Sequence, residues 1–390
     1  MSYPSDAIPL TPLLVPEDPD AAVDTVRRAI EVAYRGGEAI APITDPGQAH
    51  GLPSTVPATT AVVLSTSGSS GVPKRTLLSR TALTSSAQAS SERLGGAGDW
   101  LLCLPAGFVA GFQVISRATL GGTRVTTLPG GHFDPAAFAA AARRLPAGRR
   151  YTSLVPTQIT RLLADTESRT ALAVFDKILI GGARLDDETG RALRELTDAV
   201  VTYGMTETCG GCVYDGTPLR GVRVEIIDGI IHLGGSVVAD GYLDATGEQP
   251  FYREGDTRWY RTSDRGHWSQ ELLVPTGRVD DLINTGGVKV SAIAIEQALT
   301  GVPWIESAVV MGVPDREWGE LVGAYLVTRQ SIPDPDLEPL RERVRQRLGR
   351  AAVPKRFVLG AELPLLPNQK IDRRAVRDRL TTTESEHSHA

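Results

Sequence analysis

A loop rich in hydroxyls and glycines, residues 64–75, is the part of this sequence best suited to chemistry. Its sequence is LSTSGSSGVPKR, with one lysine near its end. Glycines let the backbone turn tightly and point N–H groups at a ligand, while hydroxyls add donors and a lysine adds a point charge. These residues predict a polyphosphate site, and its candidate members are Thr66, Ser67, Gly68, Ser69, Ser70, Gly71 and Lys74.

Two other interpretations of this loop were weighed on its residues alone. The P-loop of nucleoside triphosphatases has glycine directly before its lysine and Ser or Thr directly after it. Here two residues separate Gly71 from Lys74, and Arg75 follows, so the spacing excludes a P-loop. A flexible Ser/Gly surface linker fits the composition equally well, and the loop alone leaves that choice open.

The rest of the chain resolves the choice, because the loop resembles the phosphate loop of the acyl-adenylate-forming superfamily. That superfamily contains acyl-CoA synthetases, luciferases and adenylation domains. Five further motifs resemble the superfamily in the expected order, up to residue 373. They are an adenine-site turn (Gly181, Gly182, Ala183), a nucleotide and magnesium motif (Tyr203, Gly204, Met205, Thr206, Glu207), a ribose motif (260–264), a hinge with a glycine segment (277–281 and 286–290), and a catalytic-lysine motif (367–373).

The resemblance implies ATP-dependent activation of a carboxylic acid as an acyl-adenylate, with Mg²⁺ and with coenzyme A (CoA) as co-substrate. Lys74 and the loop hydroxyls would hold the β- and γ-phosphates, Thr206 would donate to the α-phosphate, and Glu207 would bind Mg²⁺. Catalysis of this kind consists largely of orientation and charge stabilisation. Without the resemblance, Glu207 would be interpreted as a carboxylate at the start of a helix.

The resemblance also assigns nucleotide contacts further along the chain. Asp264 would accept hydrogen bonds from the ribose hydroxyls, Tyr203 would stack on adenine, and Arg278 would contact the nucleotide. Taken alone, an aspartate before Arg265 and Gly266 is more often a turn former, and an isolated tyrosine is more often part of a core.

Lys370 is implied to be the adenylation lysine, although an isolated lysine there would be interpreted as solvated. The superfamily usually has glycine before this lysine, whereas this chain has Gln369. Asp280 matches the hinge about which relatives rotate their small domain. Gly286 and Gly287 would let the pantetheine arm of CoA pass close to the backbone.

Within the superfamily, the short region before the phosphate loop and the segment at residues 203–216 resemble the o-succinylbenzoate–CoA ligases of menaquinone biosynthesis. Residues 104–111 fit the acyl-site segment of that family in outline, but Gly107 and Phe108 replace a histidine common there. The acyl pocket is therefore expected at Phe108, Val109, Gly111, Cys209, Gly210 and Gly211. A ligase for another aryl or alkyl acid, a CoA-independent adenylating enzyme, and a non-catalytic nucleotide-binding homologue are the alternatives.

The pair Cys209 and Cys212 has the C-x-x-C spacing of a redox pair or of half a zinc site. The third cysteine, Cys103, is distant in sequence and no histidine lies near the pair. We therefore favour small residues lining the acyl pocket over either alternative. The low, odd cysteine count makes a disulfide framework improbable and fits a reducing compartment.

Composition limits the classes of partner. The formal net charge of −5 over 390 residues, with both signs interspersed, predicts no nucleic-acid partner. No apolar run approaches the length of about 18 residues that a membrane span needs, so a cytoplasmic protein without membrane insertion is expected. A homodimer is the default expectation from general frequency.

The elements that position these residues are predicted from periodicity. Residues 20–35 have apolar residues at helical spacing, and Asp134 with Pro135 predicts a helix start. Short apolar runs at residues 100–104, 178–180 and 200–202 predict buried strands between helices. The fold class is therefore α/β, a large layered N-terminal domain of βαβ units with a β-rich subdomain from about Val222, and sites are expected at the strand ends.

After Asp280 the pattern restarts as a small α+β domain. Helices are expected near residues 293–299 and 337–348, with strands near 307–313 and 323–328. The arginines of the second helix predict a solvated face, with docking of the CoA 3′-phosphate as the alternative. The expected boundaries are an ATP- and acid-binding domain at 1–277, a hinge at 278–282, a mobile lid at 283–380 and a disordered tail at 381–390.

Overall fold

A computed structural model of the chain describes residues 7–66, 74–244, 249–329, 335–366 and 371–382. The chain forms two compact units. The first contains the described residues up to Thr262 together with His267–Val274, and the second contains Ser263–Gly266 and the described residues from Pro275 onward.

Ten α-helices and 23 strands lie within the described ranges. The helices are α1 Pro19–Tyr34, α2 Arg80–Leu94, α3 Val109–Gly121, α4 Pro135–Arg144, α5 Pro156–Ala164, α6 Thr166–Leu172, α7 Asp187–Arg194, α8 Ala292–Thr300, α9 Glu338–Leu348 and α10 Arg373–Thr382. The first strands are β1 Ala7–Leu14, β2 Ala39–Ile43, β3 Thr55–Pro57, β4 Thr60–Thr66, β5 Lys74–Ser79, β6 Asp99–Leu102, β7 Val125–Thr127, β8 Arg150–Leu154, β9 Lys177–Ile180, β10 Ala199–Met205, β11 Gly210–Tyr214 and β12 Thr217–Pro218. The others are β13 Val222–Ile227, β14 Ile230–Gly235, β15 Gly241–Tyr242, β16 Phe251–Glu254, β17 Thr257–Ser269, β18 Leu272–Arg278, β19 Leu282–Thr285, β20 Val288–Ser291, β21 Ile305–Asp315, β22 Gly319–Thr328 and β23 Arg356–Gly360.

The first sheet has the strand order β15-β5-β4-β2-β1-β3. Helix α1 packs against it, and its sequence specifies both its start and its buried face. Asp18 caps it by accepting from Ala21 N, and Pro19 occupies the first turn. Val26 and Ile30 are fully buried, which stabilises the packing by about 1.5–3 kcal/mol for each side chain.

The second sheet has the order β12-β11-β10-β9-β8-β6-β7 and confirms the predicted α/β layering. Strands β6 to β10 are parallel to one another and are connected by α3 to α7. Asp134 caps α4 as predicted, accepting from Ala136 N and Ala137 N. Because β9 and β10 are parallel, with Ile180 opposite Val201, Gly181 and Thr206 both follow the carboxyl ends of their strands at the same edge of the sheet.

The β-rich subdomain predicted from Val222 is a five-stranded sheet of order β13-β14-β17-β16, with β18 pairing to β17. The side chains of β13 alternate between half-buried and exposed, as expected for a strand with one face on the core. The chain passes between its two units within β17 and β18.

The second unit is the small α+β fold expected after Asp280. Its sheet has the order β20-β19-β22-β21, with β23 pairing to β22. Ile295 and Leu299 of α8 and Val344 of α9 are fully buried in its core.

Three details differ from the sequence expectations. Strand β10 continues through Tyr203 and Gly204 to Met205 instead of ending at Thr202, because its last residues pair with the antiparallel strand β11. Helix α10 extends to Thr382, so Thr381 and Thr382 are helical and not part of a disordered tail; residues 383–390 lie outside the described ranges.

The third difference concerns the arginines of α9. Arg343 does not lie on a freely solvated face, because it donates to Ala298 O at 2.7 Å and to Gly301 O at 3.1 Å. Its cation thus satisfies carbonyls at the C-terminal end of α8. None of the described helices is long and apolar enough to cross a membrane.

Candidate nucleotide site

The predicted phosphate loop connects two paired strands. Thr66 ends β4 and Lys74 begins β5, and the two are cross-strand partners, with Thr66 Oγ1 donating to Lys74 O at 3.3 Å. The predicted members Ser67, Gly68, Ser69, Ser70 and Gly71 lie outside the described residues. The fold therefore supplies the base of a loop in which the predicted lysine occupies the first position of the returning strand.

The nucleotide and magnesium motif follows at the end of β10. Thr206 and Glu207 lie in a short 3₁₀ turn, and each is only 7% exposed. Thr208 fixes this turn, because its hydroxyl accepts from Met205 N and donates to Gly210 O. Position 204 requires glycine because the backbone of β11 approaches it closely: a Cβ there would lie 2.2 Å from Gly210 O.

Two tyrosine hydroxyls hold the Glu207 carboxylate. Tyr242 donates to Glu207 Oε1 at 2.6 Å, Tyr260 donates to the same oxygen at 3.4 Å, and the two hydroxyls are 3.2 Å apart. Lys74 Nζ lies 5.1 Å from the centroid of the Tyr242 ring. The base of the phosphate loop and the predicted metal carboxylate are thereby joined through one side chain.

Burial, followed by the charge of Glu207, raises the pKa of Tyr242 well above its ordinary value. A phenol with a raised pKa keeps its proton, so Tyr242 is the donor in its hydrogen bond to Glu207. A charge-assisted hydrogen bond of this kind is stronger than one between neutral groups.

A magnesium ion fits this arrangement only together with a nucleotide. Glu207 is the predicted ligand, and the described residues contain no group of three or more His, Cys, Asp or Glu side chains that could hold a metal. Mg²⁺ commonly binds one or two carboxylates, substrate phosphates and water, so a single carboxylate beside a phosphate loop suits it.

The predicted adenine-site turn lies at the end of β9. Gly181 N donates to Leu154 O, and a Cβ at Gly181 would lie 2.8 Å from Thr202 Oγ1. Gly182 has a φ of +84°, which glycine adopts without strain. Gly182 and Ala183 are exposed and Tyr203 is half-buried, so these predicted nucleotide contacts are open to a ligand.

The predicted acyl segment contains the start of α3. Phe108 is the N-cap and Val109 is the first helical residue, and both are half-buried. A Cβ at Gly210 would be 3.8 Å from Val109 Cγ2, so these two predicted residues are neighbours. Gly111 and Gly211 have structural reasons to be glycine: Cβ atoms there would lie 2.3 Å from Pro105 O and 2.9 Å from Thr202 Cβ.

The two cysteines of the C-x-x-C segment have free thiols that point into different cores. Cys209 packs in the main cluster of the first unit, whereas Cys212 packs beside Ile231 and Leu233. Burial raises the pKa of both thiols, that of Cys212 to about 12. Neither thiol is a ready metal ligand or nucleophile, because both functions need the thiolate.

In the second unit, two predicted nucleotide residues form an ion pair. Arg278 Nη1 lies 3.4 Å from Asp264 Oδ1, and the aspartate side chain is 15% exposed. Asp280 lies in the adjoining 3₁₀ turn, Val279–Asp281. The predicted hinge residue, Asp280, therefore lies two positions after Arg278, which is paired with Asp264.

The glycines predicted for the CoA channel form the turn between β19 and β20. Gly286 and Gly287 have φ of +58° and +83°, which explains both glycines. Gly286 N donates to Trp318 O at 2.9 Å, and a Cβ at Gly286 would lie 2.7 Å from the Trp318 indole. The tryptophan was not predicted from the sequence, since nothing local indicates its proximity to this turn.

Lys370 lies outside the described residues, but the described residues on either side of it pair with each other. Leu365 and Ile371 form an antiparallel bridge, and Asp372 N donates to Pro364 O at 2.8 Å. Arg373 also pairs with Asp281, its Nη1 lying 2.9 Å from Oδ1. The strand and helix on either side of the predicted catalytic lysine are thus held within the second unit.

An α/β unit of this kind binds its ligands at the carboxyl ends of the parallel strands, and there the glycine turn at Gly181 and the buried Glu207 carboxylate lie. Residues 12–243 match the family of AMP-binding enzymes, and residues 294–370 match the AMP-binding enzyme C-terminal domain. The chain therefore belongs to the AMP-binding enzyme family.

Individual relatives support this assignment. The chain is 39% identical over 329 residues to a probable 2-succinylbenzoate–CoA ligase of Mycobacterium tuberculosis, covering 81% of this chain and 83% of the relative. It is 31% identical to a 2-succinylbenzoate–CoA ligase of Salmonella typhimurium, covering 80% and 67%. Its fold is similar to o-succinylbenzoate CoA synthetase of Bacillus subtilis, solved with its acyl-adenylate intermediate: the TM-score is 0.74 at 22% identity, covering 95% and 88% of the two chains.

Proposed function

We propose that this chain is an ATP-dependent acid–thiol ligase that converts o-succinylbenzoate and CoA into o-succinylbenzoyl-CoA, with release of AMP and pyrophosphate. The observation that carries the choice of acid is the 39% identity to the probable 2-succinylbenzoate–CoA ligase over four-fifths of both chains. The linked Lys74, Tyr242 and Glu207 side chains support the ATP-dependent half of the proposal.

In the first step, an oxygen of the substrate carboxylate forms a bond to the α-phosphorus. The bond from that phosphorus to the bridging oxygen breaks, and pyrophosphate leaves. Lys74 would neutralise the β- and γ-phosphates, Thr206 would donate to the α-phosphate, and Lys370 would bridge the carboxylate and α-phosphate oxygens. No protein nucleophile is needed, so rate enhancement comes from alignment and charge stabilisation.

Mg²⁺ would be held by Glu207 and by phosphate oxygens, and would supply charge neutralisation at the triphosphate. Because Glu207 is only 7% exposed and Tyr242 and Tyr260 donate to it, its carboxylate is fixed before a ligand arrives. A preorganised charge costs no reorganisation at the moment of reaction.

Each unit, taken by itself, contains residues predicted to contact adenosine. Gly181, Gly182 and Ala183 would border adenine, and Tyr203 would stack on it, beside Gly204 and Met205. Asp264 would accept from the ribose hydroxyls while Arg278 holds its carboxylate. An aspartate that is already paired and mostly buried is held in one orientation before the nucleotide binds.

In the second step, the CoA sulfur attacks the acyl carbon, the bond from that carbon to the AMP oxygen breaks, and the thiol proton is released. Gly286 and Gly287 would leave room for the pantetheine arm. Asp280 would act as the hinge between an N-terminal domain at 1–277 and a lid at 283–380.

The acid would bind beside Phe108, Val109 and Gly210. Gly111, Gly211 and the backbone of Cys209 complete the predicted wall. The proposed substrate has two carboxylates, and the one that does not react needs a hydrogen-bond or charge partner, because burying it unpaired is costly. Gly107 and Phe108 do not supply one.

The cellular setting follows from the substrates. ATP, CoA and three free cysteines suit a reducing cytoplasm, where we place this enzyme. A homodimer is proposed from general frequency, and sedimentation or light scattering would test it.

The proposal is tested by incubating the purified chain with ATP, Mg²⁺, CoA and one acid at a time, with the thioester identified by mass spectrometry. We expect o-succinylbenzoyl-CoA as the product, at a kcat/KM at least tenfold above that for benzoate or an alkyl acid. Preference for another acid would overturn the assignment of o-succinylbenzoate as the substrate. Pyrophosphate release without any thioester would overturn the assignment of an acid–thiol ligase activity and indicate an acyl acceptor other than CoA.

A further inference from the structure

Tyr242 lies between the two groups that the proposed function assigns to the triphosphate and its metal. Its hydroxyl donates to Glu207 Oε1 at 2.6 Å, and its ring centroid is 5.1 Å from Lys74 Nζ. We propose that Tyr242 is a positioning residue that prepares Glu207 and Lys74 together for Mg–ATP. This inference rests on the proposed nucleotide site, but it does not depend on which acid is activated.

The fold fixes Tyr242 at this point through the edge of the first sheet. Strand β15 pairs antiparallel with β5, and Tyr242 is opposite Thr76, two residues after Lys74. Residues two apart on a strand point to one face, so the tyrosine and lysine side chains meet diagonally across the strands. Leu243 N donates to Arg75 O at 2.7 Å, which closes the pairing just beyond Tyr242.

The Tyr242 side chain is also constrained on its far side. Its ring meets that of Phe251 edge to face, with centroids 5.1 Å apart. The backbone of the preceding segment is tied to the same motif, because Ala239 N donates to Glu207 O at 2.8 Å. Tyr242 therefore cannot leave Glu207 without disturbing the packing of the sheet edge.

The hydroxyl of Tyr242 determines how Glu207 presents its charge. Both Tyr242 and Tyr260 approach Oε1, and no hydrogen bond from the described part of the chain reaches Oε2. A carboxylate removed from water is stabilised by hydrogen bonds to its oxygens. The two tyrosines stabilise one oxygen and leave the second to face a cation.

The aromatic ring of Tyr242, in contrast to its hydroxyl, interacts with the ammonium group of Lys74. An ammonium near an aromatic face is attracted weakly, without losing its three hydrogen-bond donors. Lys74 is exposed, so the ring restrains the side chain while its donors remain open to phosphate oxygens. The hydroxyl and the ring thus have separate tasks, which two substitutions can separate.

The experiment compares Tyr242→Phe, which keeps the ring, with Tyr242→Leu, which removes both functions. Calorimetry would measure binding of a non-hydrolysable ATP analogue over a range of Mg²⁺ concentrations, without acid or CoA. For Tyr242→Phe we expect a half-saturating Mg²⁺ concentration about tenfold higher, with unchanged binding of the metal-free analogue. For Tyr242→Leu we expect metal-free binding to weaken by a further factor of about three.

Tyr252→Phe is the matched control, because it removes a tyrosine hydroxyl that bonds His232 Nδ1 at 2.8 Å in the same unit. It should leave both binding curves unchanged. A wild-type Mg²⁺ dependence in Tyr242→Phe would overturn the proposal, as would failure of the wild-type chain to bind the Mg²⁺ complex.

A double-mutant cycle with Glu207→Gln distinguishes positioning from a general loss of stability, which thermal unfolding of each ligand-free variant would reveal. If Tyr242 acts through Glu207, adding Tyr242→Phe to Glu207→Gln should change the Mg²⁺ dependence by less than twofold. Fully additive effects would overturn the proposal. Because no acid is present, an error in the proposed acid leaves these outcomes unaffected.

Discussion

Arg278 and Asp264 form an ion pair in the second unit, with 3.4 Å between Nη1 and Oδ1. The sequence indicated each residue separately as a nucleotide contact. Their pairing means that Arg278 would also orient the predicted ribose acceptor, Asp264.

Substitution of Asp264 by Ala should therefore weaken ATP use more than acid use. Loss of hydrogen bonds to the ribose hydroxyls by a charged acceptor should raise KM for ATP by a factor of about ten to a hundred, with a smaller change in KM for the acid. Steady-state kinetics with each substrate varied in turn would measure this. Arg278→Lys keeps the charge but loses the planar, forked guanidinium group. Its KM for ATP should lie between those of the wild type and Asp264→Ala. An unchanged KM for ATP would remove Asp264 from the site.

Substitution of Lys370 by Ala should separate the two half-reactions. We expect pyrophosphate release to fall by at least about a hundredfold, because a cation at the α-phosphate stabilises charge mainly in the adenylation transition state. Transfer from supplied acyl-adenylate to CoA should change by less than about threefold. Rapid-quench assays of each step would show this, and equal losses in both would reject the assigned role.

Substitution of Asp280 by Pro should impair the second half-reaction more than the first. Proline fixes φ near −65° and removes the backbone donor, so a turn that must change conformation is locked. Asp280→Ala is the control, because it removes the side chain and keeps backbone freedom. The hinge assignment fails if the proline variant loses both half-reactions in equal measure, or if the alanine variant shows the same pattern.

Glu296 should make the second unit less stable as pH rises. Burial raises its pKa from 4.5 to about 7, although Val310 N donates to Oε1 and Arg373 favours the charged form. The folded state therefore binds a proton more tightly than the unfolded state between these values. Stability falls as pH increases through about 4.5 to 7, and the cost of ionisation is fully present above that window.

Glu296→Gln should remove this dependence, because the amide keeps an acceptor for Val310 N and carries no charge. We expect the variant to be more stable than wild type at pH 8 by a free energy of unfolding on the order of 2 kcal/mol, and equal or less stable at pH 4.5. Denaturant unfolding at several pH values would measure it. Glu306→Gln, at an exposed glutamate, is the control. Parallel pH profiles for wild type and Glu296→Gln would contradict the prediction.

Local patterns were sufficient to predict much of the fold. The apolar spacing of α1 depends only on neighbouring residues, and so does the capped start of α4 at Asp134 and Pro135. The continuation of β10 to Met205 was missed because it depends on pairing with β11, whose first residues are glycines. Glycine weakens the strand pattern on which such predictions rest.

The candidate site shows the same division between local and long-range information. Lys74 and Glu207 were found because each lies in a recognisable motif. Tyr242 was missed, because its role depends on the pairing of β15 with β5, which joins residues more than 160 positions apart. Trp318 was missed for the same reason, since only the folded second unit places its ring against Gly286.

The central claim is that this chain activates o-succinylbenzoate as an adenylate before CoA takes part. The most direct test is a single-turnover reaction of excess enzyme with ATP, Mg²⁺ and o-succinylbenzoate, with CoA added only after the first product has formed. We predict pyrophosphate and o-succinylbenzoyl-AMP before CoA is added, followed by conversion of the adenylate to the thioester with release of AMP. Pyrophosphate that appears only after CoA is added, or an adenylate that CoA does not consume, would contradict the account.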